Sequence, residues 1–151
     1  MRAGEFCQRN VVTIRPQEEL QTAARLMREK HVGCLVVTQP LVEFGGERPI
    51  GIVTDRDIVT TVIARDVDPR SVTVGDIMTR EPATVPDDAT VEESLRRLRD
   101  TGVRRMPVVD KAGCLLGIVT LDDLLDHLVE QLSALAGSIR REQRVERSLR
   151  P

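Results

Sequence analysis

The spacing of apolar residues along the chain changes in an order that occurs twice. Val11-Val12-Thr13-Ile14 is a short β-branched run suited to a strand, and Pro16 breaks it. Over residues 18–30, Leu20, Ala23, Ala24, Leu26 and Met27 fall at helical spacing with charges between them, which predicts a helix. Glu18 and Glu19 at its start, and Arg28 and Lys30 at its end, suit the helix dipole. Gly33 closes that region. Residues 34–38 and 50–53 then read as two buried strands joined by a loop containing Gly45-Gly46, and Thr54 begins a second helix reaching about Ala64.

The same order returns later in the chain. Residues 83–85 match the first strand, residues 90–101 match the helix through Val91, Leu95 and Leu98, and residues 106–109 and 115–119 match the two buried strands. Gly51-Ile52-Val53-Thr54-Asp55-Arg56-Asp57 is echoed by Gly117-Ile118-Val119-Thr120-Leu121-Asp122-Asp123, an offset of 66, while Val32 and Val103 are offset by 71. A longer surface loop in the first unit absorbs the difference. Each unit therefore reads β-α-β-β-α, an internal duplication that sets the architecture before any local reading. The fold expected is α+β: two such repeats, packed sheet to sheet with pseudo-twofold symmetry. The expected divisions are 8–66, a linker with a short helix over 67–80, 81–132, and a helical tail over 133–151. One unit of about 60 residues is marginal alone, so packing the two together supplies a continuous core and leaves two related clefts where they meet.

Past Asp123 the series Leu124, Leu125, Leu128, Val129, Leu132, Leu135 and Ile139 stays at helical spacing beyond anything in the first unit. Gly137 is a candidate bend or end, since glycine costs about 1 kcal/mol against alanine within a helix. The tail carries Arg140, Arg141, Arg144, Arg147 and Arg150 against Glu142 and Glu146, which suits a solvated helix end or a surface for an anionic partner.

Composition narrows the function. Of 151 residues, 40% are apolar and 30% charged, the profile of a soluble globular chain, and the net charge of −2 argues against a generally nucleic-acid-binding surface. Phe6 and Phe44 are the only aromatic residues, so base-stacking platforms cannot be built and a planar ligand must lie between aliphatic side chains. Cys7, Cys34 and Cys114 form neither a disulfide framework nor a zinc spacing, and free thiols suit a reducing cytosol. With no apolar run of signal-peptide or membrane-spanning kind, a cytoplasmic location with no membrane partner is expected.

Thr-x-x-Asp at each strand-to-helix junction is a capping box: the Thr hydroxyl accepts a first-turn N–H and the Asp reaches back to the Thr amide. The same helix start also attracts phosphate, so cap and ligand site both remain open on spacing alone. Here the two units resemble the cystathionine beta-synthase (CBS) domain, and the chain resembles a stand-alone CBS pair, or Bateman module. The matching residues are Thr13-Ile14, Val32-Gly33-Cys34-Leu35-Val36-Val37 and the motif of residues 51–57. In the second unit they are Ala83-Thr84-Val85, Val103-Arg104-Arg105-Met106-Pro107-Val108-Val109 and the motif of residues 117–123.

The resemblance implies that AMP, ADP, ATP or S-adenosylmethionine binds between the units as a regulatory ligand, with no cofactor required. By position, Asp57 and Asp123 would hold ribose hydroxyls, with Thr54 and Thr120 near ribose or phosphate. One cleft would gather Val12, Val32, Gly33, Arg105, Ile118, Thr120 and Asp123. The other would gather Ala83, Val103, Arg104, Cys34, Ile52, Thr54 and Asp57. Arg56, Arg104 and Arg105 are candidates for phosphate contact, or for ion pairs with Asp55 or Asp122. Family members usually pair through their helices, so a homodimer acting on a separate protein target is expected; a scaffolding dimer with vestigial clefts is the alternative.

An enzyme is not expected. His31 ends a helix and His127 lies on a charged one, neither beside a nucleophile pattern. The acid pairs Asp55/Asp57 and Asp122/Asp123 open helices, where acids belong, and lack calcium-loop spacing, so no metal site is expected.

Overall fold

A computed structural model describes residues 1–150. The elements are α1 (Ala3–Phe6), β1 (Thr13–Ile14), α2 (Leu20–Lys30), β2 (Cys34–Leu41), β3 (Gly46–Thr54), and α3 (Asp55–Asp57), which runs directly into a π-helical segment, Ile58–Ile63. They continue as α4 (Val74–Ile77), β4 (Thr79–Arg80), β5 (Val85–Pro86), α5 (Val91–Thr101), β6 (Arg105–Val109), β7 (Leu115–Thr120) and α6 (Leu121–Leu149). One sheet has the order β1-β2-β3-β4 and the other β5-β6-β7, and they meet along β3 and β7.

The duplication extends to details of register. β1 runs parallel to β2, and β5 to β6; each second strand pairs antiparallel with the third. Cys34 faces Thr54 and Arg105 faces Thr120 across the two hairpins. Register shifts fall between Val37 and Thr38 and between Val108 and Val109, at matching points of the units. Each sheet buries its own core: Leu20, Ala23, Leu35, Val37 and Val53 in the first unit, and Val85, Leu98, Met106, Val108 and Val119 in the second.

α2 and α5 differ in how they begin and end. Thr90 caps α5 with a complete box: its Oγ1 accepts the Glu93 N–H at 3.1 Å while Glu93 Oε2 accepts the Thr90 N–H at 2.7 Å. That backbone hydrogen bond holds the Glu93 carboxyl below its ordinary value. Its contribution is present above the usual carboxylate pKa and fades as pH falls through the lowered one. Thr90→Ala is expected to cost about 0.5–2 kcal/mol, read from urea denaturation at neutral pH. α5 closes on Gly102 at φ 67°, and α2 closes on His31, which adopts the same left-handed conformation at φ 54° without being glycine.

Three features depart from the sequence pattern. β2 and β3 are longer than the buried runs over 34–38 and 50–53, extending as a hairpin in which Gln39 and Arg48 pair. α6 runs through Gly137 unbroken, because that residue is exposed with open space around it and one glycine is a small cost within 29 helical residues. The N-terminal residues also build an element, and they do so on the second unit. Ala3 and Cys7 are buried in the core with Val85 and Met106, and Gln8 exchanges both backbone hydrogen bonds with Ile118 at 2.9 Å.

This N-terminal strap has a counterpart. α4 and β4 lie 71 residues after Ala3–Phe6 and Gln8, and β4 pairs with β3 through Thr79 and Ile52 as Gln8 pairs with Ile118. The glycine of each Gly-Ile-Val-Thr run makes room for these segments. A Cβ on Gly117 would lie 2.6 Å from Cys7 Sγ and 2.7 Å from the Gln8 carbonyl oxygen, and a Cβ on Gly51 would strike Met78. Cys7 and Met78, and Gln8 and Thr79, thus occupy equivalent places.

Candidate functional site

Both Thr-x-x-Asp motifs form the expected capping boxes. Thr54 donates its N–H to Asp57 Oδ2 at 2.9 Å, and Thr54 Oγ1 accepts the Asp57 N–H at 3.2 Å. Thr120 and Asp123 repeat this at 3.2 and 3.1 Å. In the first unit the remaining first-turn amides are also engaged: Asp55 N–H donates to the Gly33 carbonyl at 3.0 Å and Arg56 N–H to Asp55 Oδ1 at 2.8 Å. The helix start that spacing left open to phosphate therefore has its amides satisfied internally.

A cleft of about 910 Å³ opens between the units in front of the first motif. That volume is at the upper end of the range of small-molecule pockets. Its walls include Ile52, Thr54, Arg56 and Asp57 from the first unit and Ala83, Val103 and Arg104 from the second. Cys34, grouped with these residues, lies buried behind the wall. Burial pushes its thiol above the ordinary value, and the neighbouring Arg105 guanidinium partly offsets this.

Gly33 and Arg105 also line this cleft, where the sequence grouping set them in the other. The cause is local. Although Arg105 faces Thr120 in the hairpin register, its guanidinium reaches across the inter-unit boundary to Cys34. Three arginines thus converge on the first cleft. Arg104 is the one with an ion partner, Asp122, at 3.6 Å, and both groups are well exposed. Thr79, Thr101 and Gly102 are lining residues that the sequence did not single out. The left-handed Gly102 directly after a periodic helix was the available signal.

The surroundings of the second motif differ. Val12 and Val32 are half-buried and pack against the first unit's core. Ile118 pairs with the strap through its backbone as Ile52 does with β4, but here Gln8 Nε2 donates to Asp123 Oδ1 at 2.7 Å. Asp57 Oδ1 receives no hydrogen bond from the described residues, because its equivalent neighbour Thr79 is too short to do what Gln8 does. The two carboxylates are alike in backbone setting and unlike in availability.

The two histidines have separate structural settings. His31 ends α2, and His127 stacks on Phe6 with ring centroids 6.2 Å apart while bonding Gln131 at 3.0 Å, rather than standing free in solvent. Among the described residues, no three His, Cys, Asp or Glu side chains cluster in a way that holds a metal ion. No helix among them is long and apolar enough to cross a membrane.

Duplicated β-α-β-β-α units with a cleft between them define a tandem-repeat module. The CBS domain family model matches residues 3–64 and 74–130, so the chain belongs to the CBS domain family. Those matches begin at the first residues of α1 and α4, in keeping with the strap equivalence. An uncharacterized protein of Methanopyrus kandleri is 39% identical over 122 residues, 81% of this chain and 60% of that protein. Hypoxic response protein 1 of Mycobacterium tuberculosis is 33% identical over 128 residues, 85% of each chain. A crystal structure of Hypoxic Response Protein I with two coordinated zinc ions matches with a TM-score of 0.71 at 31% identity, over 84% of this chain and 98% of that one. The hexameric CBS-CP12 protein from bloom-forming cyanobacteria matches at 37% identity and a TM-score of 0.68, over 83% of this chain and 69% of that one.

Proposed function

We propose that this CBS pair is a non-catalytic sensor that binds one adenosyl ligand, AMP, ADP, ATP or S-adenosylmethionine, in the cleft at Asp57. The observation that carries this reading is that Asp57 Oδ1, taken by no hydrogen bond from the described residues, lies on an inter-unit cleft lined by Ile52, Val103 and three arginines. An ionised carboxylate accepts hydrogen bonds from vicinal ribose hydroxyls, and each such charged contact contributes about 1.5–3 kcal/mol. Ile52 and Val103 supply the aliphatic faces that a purine needs in a cleft without aromatic lining. Since the first-turn amides are taken, phosphate falls to Arg56, Arg104 and Arg105, and binding it competes with the Arg104–Asp122 pair.

A ligand bridging both units shifts the module between arrangements only through different affinity for each. The readout is a homodimer that acts on a separate protein target; the hexameric CBS-CP12 relative is in keeping with assembly. The scaffolding alternative finds support at the second motif alone, where Gln8 satisfies Asp123. Thermal melts with a panel of adenosyl compounds separate the two readings. A ligand at about 100 times its Kd adds roughly 2.7 kcal/mol of apparent stability. A panel that moves no transition favours the scaffold.

A further inference from the structure

β4 and the residue that ends it form one wall of the Asp57 cleft. Thr79 pairs with Ile52, and the Glu81 N–H donates to the Ile50 carbonyl at 3.2 Å, which continues the pairing. Strand alternation sets Thr79 and Glu81 on one side, and both line the cleft. Arg80, between them, alternates away and donates to the Gly75 carbonyl at 3.2 Å. Glu81 lies about 7 Å beyond Thr79 along the strand direction. With Pro82 it also lines a neighbouring cavity of about 750 Å³, so the two mark the end of the cleft away from Asp57 and Arg56.

Glu81 adopts a left-handed backbone at φ 48°. His31 and Asp66 share that conformation at the ends of helical segments, whereas Glu81 ends a strand. Non-glycine residues in this region are strained, and such residues gather at ligand sites. Among the described residues no hydrogen bond or ion pair reaches the Glu81 carboxylate. Its counterpart in the N-terminal strap, 71 residues earlier, is Asn10, which is uncharged and lies outside the left-handed region. With ribose at Asp57 and the base between Ile52 and Val103, the base edge remote from the sugar comes last, toward Glu81. In adenine that edge carries the 6-amino group, a donor, and a carboxylate at neutral pH only accepts. We infer that Glu81 selects the base of a bound nucleotide: it accepts a hydrogen bond from the 6-amino group of adenine and rejects 6-oxopurines, whose oxygen would face the same carboxylate. This role rests on the adenosyl reading of the cleft and adds to it the residue that reads the part common to all four ligands.

Titration calorimetry with AMP and ATP tests it, each beside its 6-oxo counterpart, IMP or ITP, and its purine riboside analogue, which lacks the amine. The wild type is expected to bind the adenine nucleotide at least tenfold more tightly than either counterpart. Glu81→Gly removes the carboxylate and keeps a left-handed backbone that glycine adopts freely, and it is expected to bind the adenine and amine-free nucleotides alike. Glu81→Gln, whose amide can turn to accept or to donate, is expected to hold AMP and IMP within about threefold of each other. A wild type without preference for adenine, or a preference that survives in Glu81→Gly, overturns the assignment and leaves the adenosyl cleft standing. IMP or GMP bound more tightly than AMP overturns it as well, since a ring N–H would then face the acid. Failure of the wild type to bind AMP or ATP also overturns it, and if S-adenosylmethionine fails too, the adenosyl reading falls with it.

Discussion

Asp57→Asn is expected to weaken adenosyl-ligand binding between tenfold and somewhat more than a hundredfold, while Asp123→Asn leaves it unchanged. The asparagine oxygen can still accept the Thr54 N–H, which Asp57 Oδ2 now takes at 2.9 Å, so the helix cap is preserved. The charge is lost, and with it the ability of both carboxylate oxygens to accept. Losing one charged contact of about 1.5–3 kcal/mol gives that range of Kd, since each 1.4 kcal/mol is tenfold. Calorimetric titration of both variants, with urea melts to show equal folding, checks this outcome. Equal effects at both positions would mean that the two motifs are equivalent in solution, which the Gln8–Asp123 hydrogen bond argues against.

Gln8→Ala is expected to raise the stoichiometry from one ligand per chain to two. The strap itself stays in place, because its backbone hydrogen bonds to Ile118 do not involve the side chain, while Asp123 Oδ1 is released. The reciprocal change Thr79→Gln places the same amide at the equivalent point of the first cleft and is expected to abolish binding there. These two substitutions work on short surface segments and leave both cores untouched. A single binding event in Gln8→Ala would show that the second cleft is closed by shape, not by this contact. Full wild-type affinity in Thr79→Gln would remove the explanation for the asymmetry.

Much of this was legible in the sequence, for reasons that can be named. The Gly-Ile-Val-Thr-x-x-Asp runs gave the duplication, and alternation between strand and helix spacing gave the order of elements. The strap was not legible. Residues 2–9 mix charge with few apolar side chains, and Cys7-Gln8 shares no side chain with Met78-Thr79, so their equivalence exists only in backbone pairing. The hairpin beyond Thr38 was hidden by Pro40, Pro49 and exposed polar residues, which interrupt any buried pattern. The π-helical segment leaves no mark in composition, since Ile58, Val59, Val62 and Ile63 suit an ordinary helix equally well.

The site divides along the same line. Ile52, Thr54, Asp57, Ala83, Val103 and Arg104 line one cleft between the units. Gly33 and Arg105, which the resemblance grouped with the other motif, line this cleft as well, and for Arg105 the reason is a long side chain that leans across the boundary between the units. The inequality of Asp57 and Asp123 depends on a residue more than a hundred positions from its partner, Gln8 against Asp123, and local spacing carries no trace of it.

The most direct test is a crystal structure of the wild-type protein grown with a saturating adenine nucleotide. Expected is one nucleoside per chain between Ile52 and Val103, its ribose hydroxyls on Asp57 and its phosphate among Arg56, Arg104 and Arg105, with Gln8 still bonded to Asp123. A nucleotide seated at Asp123 with Gln8 displaced and the first cleft empty would contradict it.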